Sequence, residues 1–173
     1  MTTASAHVDE LPTLMTSTGP PAGFAELYER HYEALFRAAL RVTGNPADAE
    51  DVLQTVFVRV LARVDVGDVE LPAAYLRRAT VNAAVDVLRR RELHAESAVD
   101  DRALYAVQPP LLLKEQLRRA IAALDRDDAS LFLLRHVEGL SIEELSGMFE
   151  MEKNNVTVRL HRIRQRLQAE MER

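Results

Sequence analysis

The sequence predicts an all-α protein built from two small helical domains joined by a linker. Helix-favouring residues such as Ala, Leu, Arg and Glu dominate, whereas Gly, which weakens helices, occurs only 6 times in 173 residues. Apolar residues recur at offsets of three and four along most of the chain, which is the period of an amphipathic helix. Helix breakers and caps, such as TGNP at 43–46, separate these stretches.

The first predicted domain covers residues 24–92. It follows a tail, residues 1–23, whose Ser, Thr, Pro and Gly content predicts disorder. The second helix of this domain has a clear start, because Asn45 is a good N-cap and Pro46 suits the first helical position. A loop that contains Asp65, Asp68 and Glu70 precedes the third helix. The three helices are predicted at 24–42, 46–64 and 72–91.

The second domain is predicted at 111–173, after a linker at 93–110 in which the apolar period fades. Gly139 can close one of its helices in a left-handed conformation. Ser141 and Glu144 have the spacing of a capping box, which predicts the start of a short helix. The four helices are predicted at 111–124, at 127–138, from Ser141, and from Asn154 or Asn155 onward.

The last helix carries two seams on neighbouring faces. An apolar seam predicts packing against the core and consists of Val156, Leu160, Ile163 and Leu167. A polar seam follows the same rhythm and consists of Asn155, Arg159, Arg162 and Arg166. A short capped helix, a tight turn and such a helix predict a helix–turn–helix, whose second helix enters the major groove of DNA. Positive charge is thus concentrated where a polyanion would dock, although the chain has a net charge of −5. Pattern alone also fits a solvated face that complements the helix dipole.

Composition and motif spacing argue against several other classes of protein. The chain has no Cys, which excludes disulfides and thiolate metal sites. No apolar run reaches the roughly 18 residues of a membrane span, and the N-terminus lacks signal-peptide features. We therefore expect a cytoplasmic protein without membrane insertion. Neither a nucleophile elbow nor a phosphate loop is present, and the five His have no metal-ligand spacing. Consequently we expect no enzyme activity, metal or cofactor.

Three segments, in a fixed order, resemble the bacterial extracytoplasmic-function (ECF) sigma factors. Their region 2 resembles FAELYERHYEALFRAALRVTGNPADAEDVLQTVFVRVL and then YLRRATVNAAVDVLRRR. Their region 4 is similar to LDRDDASLFLLRHVEGLSIEELSGMFEMEKNNVTVRLHRIRQRL. The resemblance implies a region 2 helical bundle and a region 4 helix–turn–helix that bind core RNA polymerase and direct it to promoter DNA. It also implies an anti-sigma factor as a partner, and a free protein whose domains pack together and hide both basic surfaces.

The resemblance assigns the DAEDVLQ segment to core polymerase, as the helix that docks on the clamp coiled coil of the largest catalytic subunit. An acidic, hydrogen-bonding surface suits a basic groove. The matched residues are Asp48, Glu50, Asp51 and Gln54. From pattern alone, the same residues also fit compensation of the helix dipole.

Two sets of residues are matched to promoter DNA. The third helix resembles the segment that opens and binds the −10 element, where aromatic and cationic side chains hold flipped bases and phosphates. Its candidates are Tyr75, Arg77, Arg78, Asn82, Arg89, Arg90 and Arg91. The candidates for the −35 element in region 4 are Asn154, Asn155, Thr157, Arg159, Arg162 and Arg166.

The chain departs from the family pattern at several positions. Glu150 stands in a turn where the family often has Gly, so a positive φ there would cost roughly 1 kcal/mol. Asn154-Asn155 replaces the usual Gly-Thr, Thr157-Val158 replaces Lys-Ser, and Thr55 replaces a Glu in the polymerase-binding helix. The changes in region 4 predict a non-standard −35 preference, and Thr55 predicts modestly weaker binding to core polymerase. Glu150 and Thr157 also motivate one alternative, a sigma-like mimic that binds a regulator, and a second alternative is a helix–turn–helix repressor that acts without polymerase.

Overall fold

The computed structural model describes residues 23–63, 73–97 and 109–172, and within these ranges it contains only α-helices. The all-α prediction is therefore confirmed. The predictions for the tail, the loop at 64–72 and the central part of the linker fall outside the described residues. The helices are α1 Phe24–Thr43, α2 Pro46–Arg63, α3 Ala73–Ser97, α4 Pro109–Ala122, α5 Arg126–His136, α6 Ile142–Phe149 and α7 Lys153–Met171.

The helix boundaries follow the capping signals of the sequence. Gly44 ends α1 with a φ of 70°, and the Asn45 side chain accepts a hydrogen bond from the Ala47 N–H at 2.8 Å to start α2. Ser141 and Glu144 form the predicted capping box at the start of α6. Gly139 has a φ of 73°, which closes the turn after α5.

Helix α3 is longer than its pattern predicts. It continues to Ser97 instead of ending near Arg91, and α4 begins at Pro109. The ends of the predicted linker are therefore helical. Glu92 explains part of the extension, because its carboxylate pairs with Arg119 of α4 at 3.6 Å. The apolar period fades there because α3 runs beyond the core, and Leu93 is accordingly 65% exposed.

The helices form two units that pack against each other. Helices α1, α2 and α3 contact one another and form the first unit, whereas α4, α5, α6 and α7 form the second unit. One contiguous cluster of buried apolar side chains runs through both units. Helix α5 is buried on more than one side, because it packs against α3 of the first unit and against α6 and α7 of its own. The two units therefore share one core.

Candidate nucleic-acid and polymerase interfaces

Helices α6 and α7 form the predicted helix–turn–helix. The apolar seam of α7 is buried, since Val156, Leu160, Ile163 and Leu167 are at most 4% exposed. Leu145 of α6 is completely buried, which holds the two helices together. Between the helices, Glu150 adopts the left-handed conformation with a φ of 52° and a ψ of 43°. The turn thus has a positive φ although Glu150 replaces the Gly that is common in the family, and it carries the strain of a residue that has a Cβ.

The side chains along the polar edge of α7 differ in their exposure and in their contacts with α5. Most of its −35 candidates are exposed: Asn154, Asn155, Thr157, Arg162 and Arg166. Arg159 is half-buried, and its Nε donates a hydrogen bond to Asp128 Oδ1 of α5 at 2.6 Å. Arg166 also reaches Asp128, with Nη1 3.2 Å from Oδ2. Both arginines therefore face the same carboxylate, while Asn155 and Arg162 point to solvent.

Acidic residues surround the start of α7 and limit its positive potential. Glu143 and Glu144 lie in the first turn of α6, and Lys153 Nζ contacts Glu143 Oε1 at 2.9 Å. Hydrogen bonds from the backbone and hydroxyl of Ser141 lower the pKa of Glu144, because they favour the ionised carboxylate. Glu150 and Glu152 are exposed in the turn. These carboxylates reduce the positive potential at the N-terminal end of α7.

The −10 candidates also differ in exposure. Tyr75, Arg77 and Arg90 are exposed on α3. Arg78, Asn82, Arg89 and Arg91 are half-buried. Three of the seven candidates line one cleft of about 320 Å³, namely Tyr75, Arg78 and Asn82. An aromatic ring beside guanidinium and amide groups has the chemistry to hold an unstacked base and its phosphate.

The half-buried −10 candidates are engaged by neighbouring helices. Arg78 Nη1 donates a hydrogen bond to the Met148 carbonyl at 2.5 Å, and Arg89 Nε donates one to the Ala122 carbonyl at 3.2 Å. Arg89 also donates to the Leu124 carbonyl. The carbonyl oxygen of Asn82 accepts a hydrogen bond from the Ser130 hydroxyl. Arg78, Asn82 and Arg89 are therefore bound to the second unit, and this unit covers part of the −10 surface.

Arg91 differs from these residues because its partners lie within the first unit. Its guanidinium pairs with Asp48 and donates a hydrogen bond to the Thr43 carbonyl at 3.1 Å. Arg91 therefore ties the end of α1 and the start of α2 to α3.

Two of the four polymerase-binding candidates have internal partners. Asp48 pairs with Arg91, and Glu50 accepts a hydrogen bond from the Tyr32 hydroxyl at 2.7 Å. This bond to Glu50 is the main cause that raises the pKa of Tyr32 to about 12. Asp51 and Gln54 are exposed on the outer face of α2, and Val58, one turn further, is 63% exposed. Asp51, Gln54 and Val58 therefore form an exposed surface of α2 that a partner can reach.

Sequence reasoning missed three charged residues of these sites. Arg59 of α2 and Arg126 of α5 line the −10 cleft beside Arg78. Asp128 binds two arginines of α7 although its own segment, DRDD, has no distinctive pattern. The amphipathic period of α2 places Arg59 outside the core. It does not predict the cleft, because the cleft forms only when α3 and α5 pack beside α2.

The described residues contain neither a membrane-spanning helix nor a cluster of metal-binding side chains. No helix there combines the length and the apolar character that crossing a membrane requires. No group of three or more His, Cys, Asp and Glu side chains with the geometry of a metal site occurs there.

Comparison with family models finds two matches, in the same order as the two units. Residues 27–93 match the model of Sigma-70 region 2, and residues 114–167 match the model of Sigma-70 region 4. The first match spans parts of all three helices of the first unit, and the second includes the helix–turn–helix.

Comparison with individual proteins gives a consistent result. The chain is 34% identical over 157 residues to the RNA polymerase sigma-E factor of Streptomyces avermitilis, covering 86% of this chain and 85% of the relative. It is 30% identical to the ECF RNA polymerase sigma factor SigE of Mycolicibacterium smegmatis, over 82% of this chain and 59% of that protein.

Among solved structures, the sigma factor RpoE of Bartonella quintana, determined in complex with the anti-sigma factor NepR, shares the fold. The TM-score is 0.51 at 20% sequence identity, and the match covers 86% of this chain and 96% of that one. The sigma region matches, the identity to the sigma-E factor and the two-unit helical fold agree. The chain belongs to the ECF family of RNA polymerase sigma factors.

Proposed function

We propose that this sigma factor carries core RNA polymerase to promoters, with its first unit binding the −10 element and its second unit binding the −35 element. One observation carries the assignment to DNA. Asn154, Asn155 and Arg162 are exposed along the polar edge of α7, next to a seam whose residues are at most 4% exposed. A helix fixed in this way presents its N-terminal side chains to base edges in the major groove. We propose that residues 24–92 form the domain that binds the −10 element and residues 111–173 the domain that binds the −35 element.

For core polymerase, the proposed contact is the outer face of α2. Asp51 and Gln54 are exposed there and supply acceptors for a basic groove. Asp48 and Glu50 contribute by fixing this helix, since Arg91 and Tyr32 hold them within the first unit. The protein itself performs no chemistry, because polymerase makes the phosphodiester bonds. Its place of action is the cytoplasm, where polymerase works.

The packing of the two units supports a closed resting form. The atoms of Arg78, Asn82 and Arg89 that bind the second unit are not free for phosphates or bases while the two units are packed. Promoter binding therefore competes with the packing of the units. An anti-sigma factor that stabilises the closed form would keep the protein inactive, and polymerase, which binds the open form, would activate it.

Run-off transcription with purified core polymerase on genomic templates tests the proposal. We expect promoter-dependent products that disappear when Arg162 and Asn155 are both replaced by Ala, while polymerase binding is retained. Replacement of Asp51 and Gln54 by Ala should instead weaken polymerase binding and leave folding intact. Replacement of the exposed Arg37, which lies outside every proposed interface, is the control and should change neither.

The alternatives give different outcomes in the same assay. A sigma-like mimic would bind its regulator but yield no promoter-dependent product from any template. A helix–turn–helix repressor would bind DNA and fail to retain core polymerase in a pull-down. Either result would contradict the proposed function.

A further inference from the structure

Asp128 is a nearly buried carboxylate of α5 that faces α7, the second helix of the helix–turn–helix and its proposed recognition helix. It lies in the first turn of α5 and is 8% exposed, whereas its neighbours Asp125 and Asp127 are exposed. A buried carboxylate is costly unless charged hydrogen bonds compensate its loss of water. Arg159 and Arg166 supply these bonds to the two different oxygens of Asp128.

The contact with Asp128 fixes the direction of the Arg159 guanidinium. The bond from Nε to Oδ1 is 2.6 Å long, and Nη1 lies 3.6 Å from Met151 Sδ. The side chain nevertheless remains 35% exposed. Among the described residues, no acceptor binds its Nη2 group, which is therefore available to an external acceptor. A guanidinium held in this way loses little further rotational freedom when it binds a ligand.

Arg159 also has a suitable place on α7. It follows Asn155 by four residues and precedes Arg162 by three, so the three side chains share one edge of the helix. Arg162 is exposed and carries its charge on an unrestrained side chain. Among Asn155, Arg159 and Arg162, Arg159 is the residue whose orientation is set by a second helix. Guanine offers O6 and N7 in the major groove, and an arginine of defined direction can discriminate these acceptors from those of other bases.

We infer that Asp128 is a positioning residue for recognition of the −35 element, which acts by holding Arg159 in the direction that contacts a base edge in duplex DNA. This inference rests on the proposed function. Asp128 would be a determinant of −35 specificity that lies outside α7. Arg159 and Arg162 would also have different roles in DNA binding. Arg159 selects a base pair, whereas Arg162 supplies flexible attraction to DNA.

The test selects −35 sequences from a library with randomised −35 positions and a fixed −10 element, using polymerase reconstituted with each variant. We expect Arg159→Ala to abolish the preference at one base pair, by roughly tenfold. Asp128→Asn keeps the size of the side chain, and it should abolish the preference at the same base pair. The double variant should lose nothing further, because both changes remove one interaction. Asp127→Asn removes the same charge from the next, exposed residue and should keep the preference.

A purely structural role of Asp128 predicts a different result. Asp128→Asn would then weaken binding to all sequences equally and keep the base preference, which would overturn the inference. Arg159→Lys is a second route that preserves the cation and leaves Asp128 paired with Arg166. It should also lose the preference, and retention of the preference would count against the inference. If the unaltered protein selects no −35 sequence at all, the proposed function itself fails.

Discussion

The guanidinium carbon of Arg78 lies 4.3 Å from the centre of the Phe149 ring, and its Nη1 binds the Met148 carbonyl. This contact joins α3, which resembles the promoter-opening segment, to α6 of the helix–turn–helix. The carbonyl occupies one N–H group of the Arg78 guanidinium and the ring covers one of its faces, so this side chain is less accessible to a promoter phosphate while the units are packed. Closure of the two units and the proposed binding of the −10 element therefore compete for one side chain.

Breaking contacts that only join the units should open the protein. Asp86 pairs with Arg126 at 2.6 Å and Arg41 pairs with Glu138 at 2.6 Å, and neither Asp86 nor Arg41 is a candidate for binding polymerase or DNA. Replacing both Asp86 and Arg41 by Ala should weaken closure by about 1–2 kcal/mol in total. Small-angle scattering should show a larger radius of gyration, and binding to single-stranded −10 DNA should tighten several-fold.

The matched control for this opening is the double replacement of Glu33 and Arg37 by Ala. These residues form an exposed pair on α1, so the same two charges are lost without an effect on closure. An unchanged radius of gyration in the Asp86/Arg41 variant would show that the shared apolar core alone sets the arrangement of the units.

Gly44→Ala should destabilise the protein by about 1–2 kcal/mol. The φ of 70° is costly for any residue with a Cβ, and the new methyl group would collide with the Arg118 guanidinium. Displacement of Arg118 also breaks its hydrogen bond to the Val42 carbonyl. Urea unfolding followed by helical circular dichroism measures the effect. Gly147→Ala is the control in open space inside α6, and it should stabilise by about 0.5–1 kcal/mol.

Glu150→Gly should stabilise the protein by about 1 kcal/mol, because glycine adopts a φ of 52° without the steric cost of a Cβ. Thermal unfolding is a suitable measurement. Glu152 also carries a negative charge in this turn, but its φ of −65° suits any residue. Glu152→Gly should therefore not raise the stability of the protein. An equal increase in stability in both variants would instead show that loss of the negative charge causes the effect.

Tyr32 should make the stability depend on pH in the alkaline range. Its pKa is raised from 10.0 to about 12 in the folded protein, so the folded state holds this proton more tightly than the unfolded state. The stabilisation is fully present below pH 10 and is lost as the pH rises from about 10 towards 12. Absorbance titration of tyrosinate, with Tyr32→Phe to assign the signal, measures the pKa. Glu50→Gln should lower it towards 10, and a pKa near 10 in the unaltered protein would contradict this account.

Local chemistry made much of the fold predictable. The caps at Asn45 and Ser141 bond to residues within three positions, so short sequence windows contain both partners. The buried seam of α7 follows directly from helical geometry. The resemblance to the family predicted that a region 2 domain precedes a region 4 domain, and the hydrophobic periodicity alone does not predict this order.

Contacts between the units were beyond sequence reasoning. Arg89 and Arg91 are two residues apart and chemically identical, yet Arg89 binds α4 carbonyls while Arg91 binds Asp48. Every residue has a carbonyl, so its presence in a sequence says nothing about which arginine it will accept. The contact of Asp128 with Arg159 spans 31 positions and likewise depends on packing.

The acceptors for Arg78, Arg89 and Arg118 at this boundary are main-chain oxygens. Side-chain replacement at Met148, Ala122 or Val42 leaves such an acceptor in place. Substitutions that break these three hydrogen bonds between the units should therefore fall mainly on the arginines and rarely on the residues that supply the carbonyls. During divergence, the residues of both units that supply these carbonyls can change their side chains while the three hydrogen bonds persist.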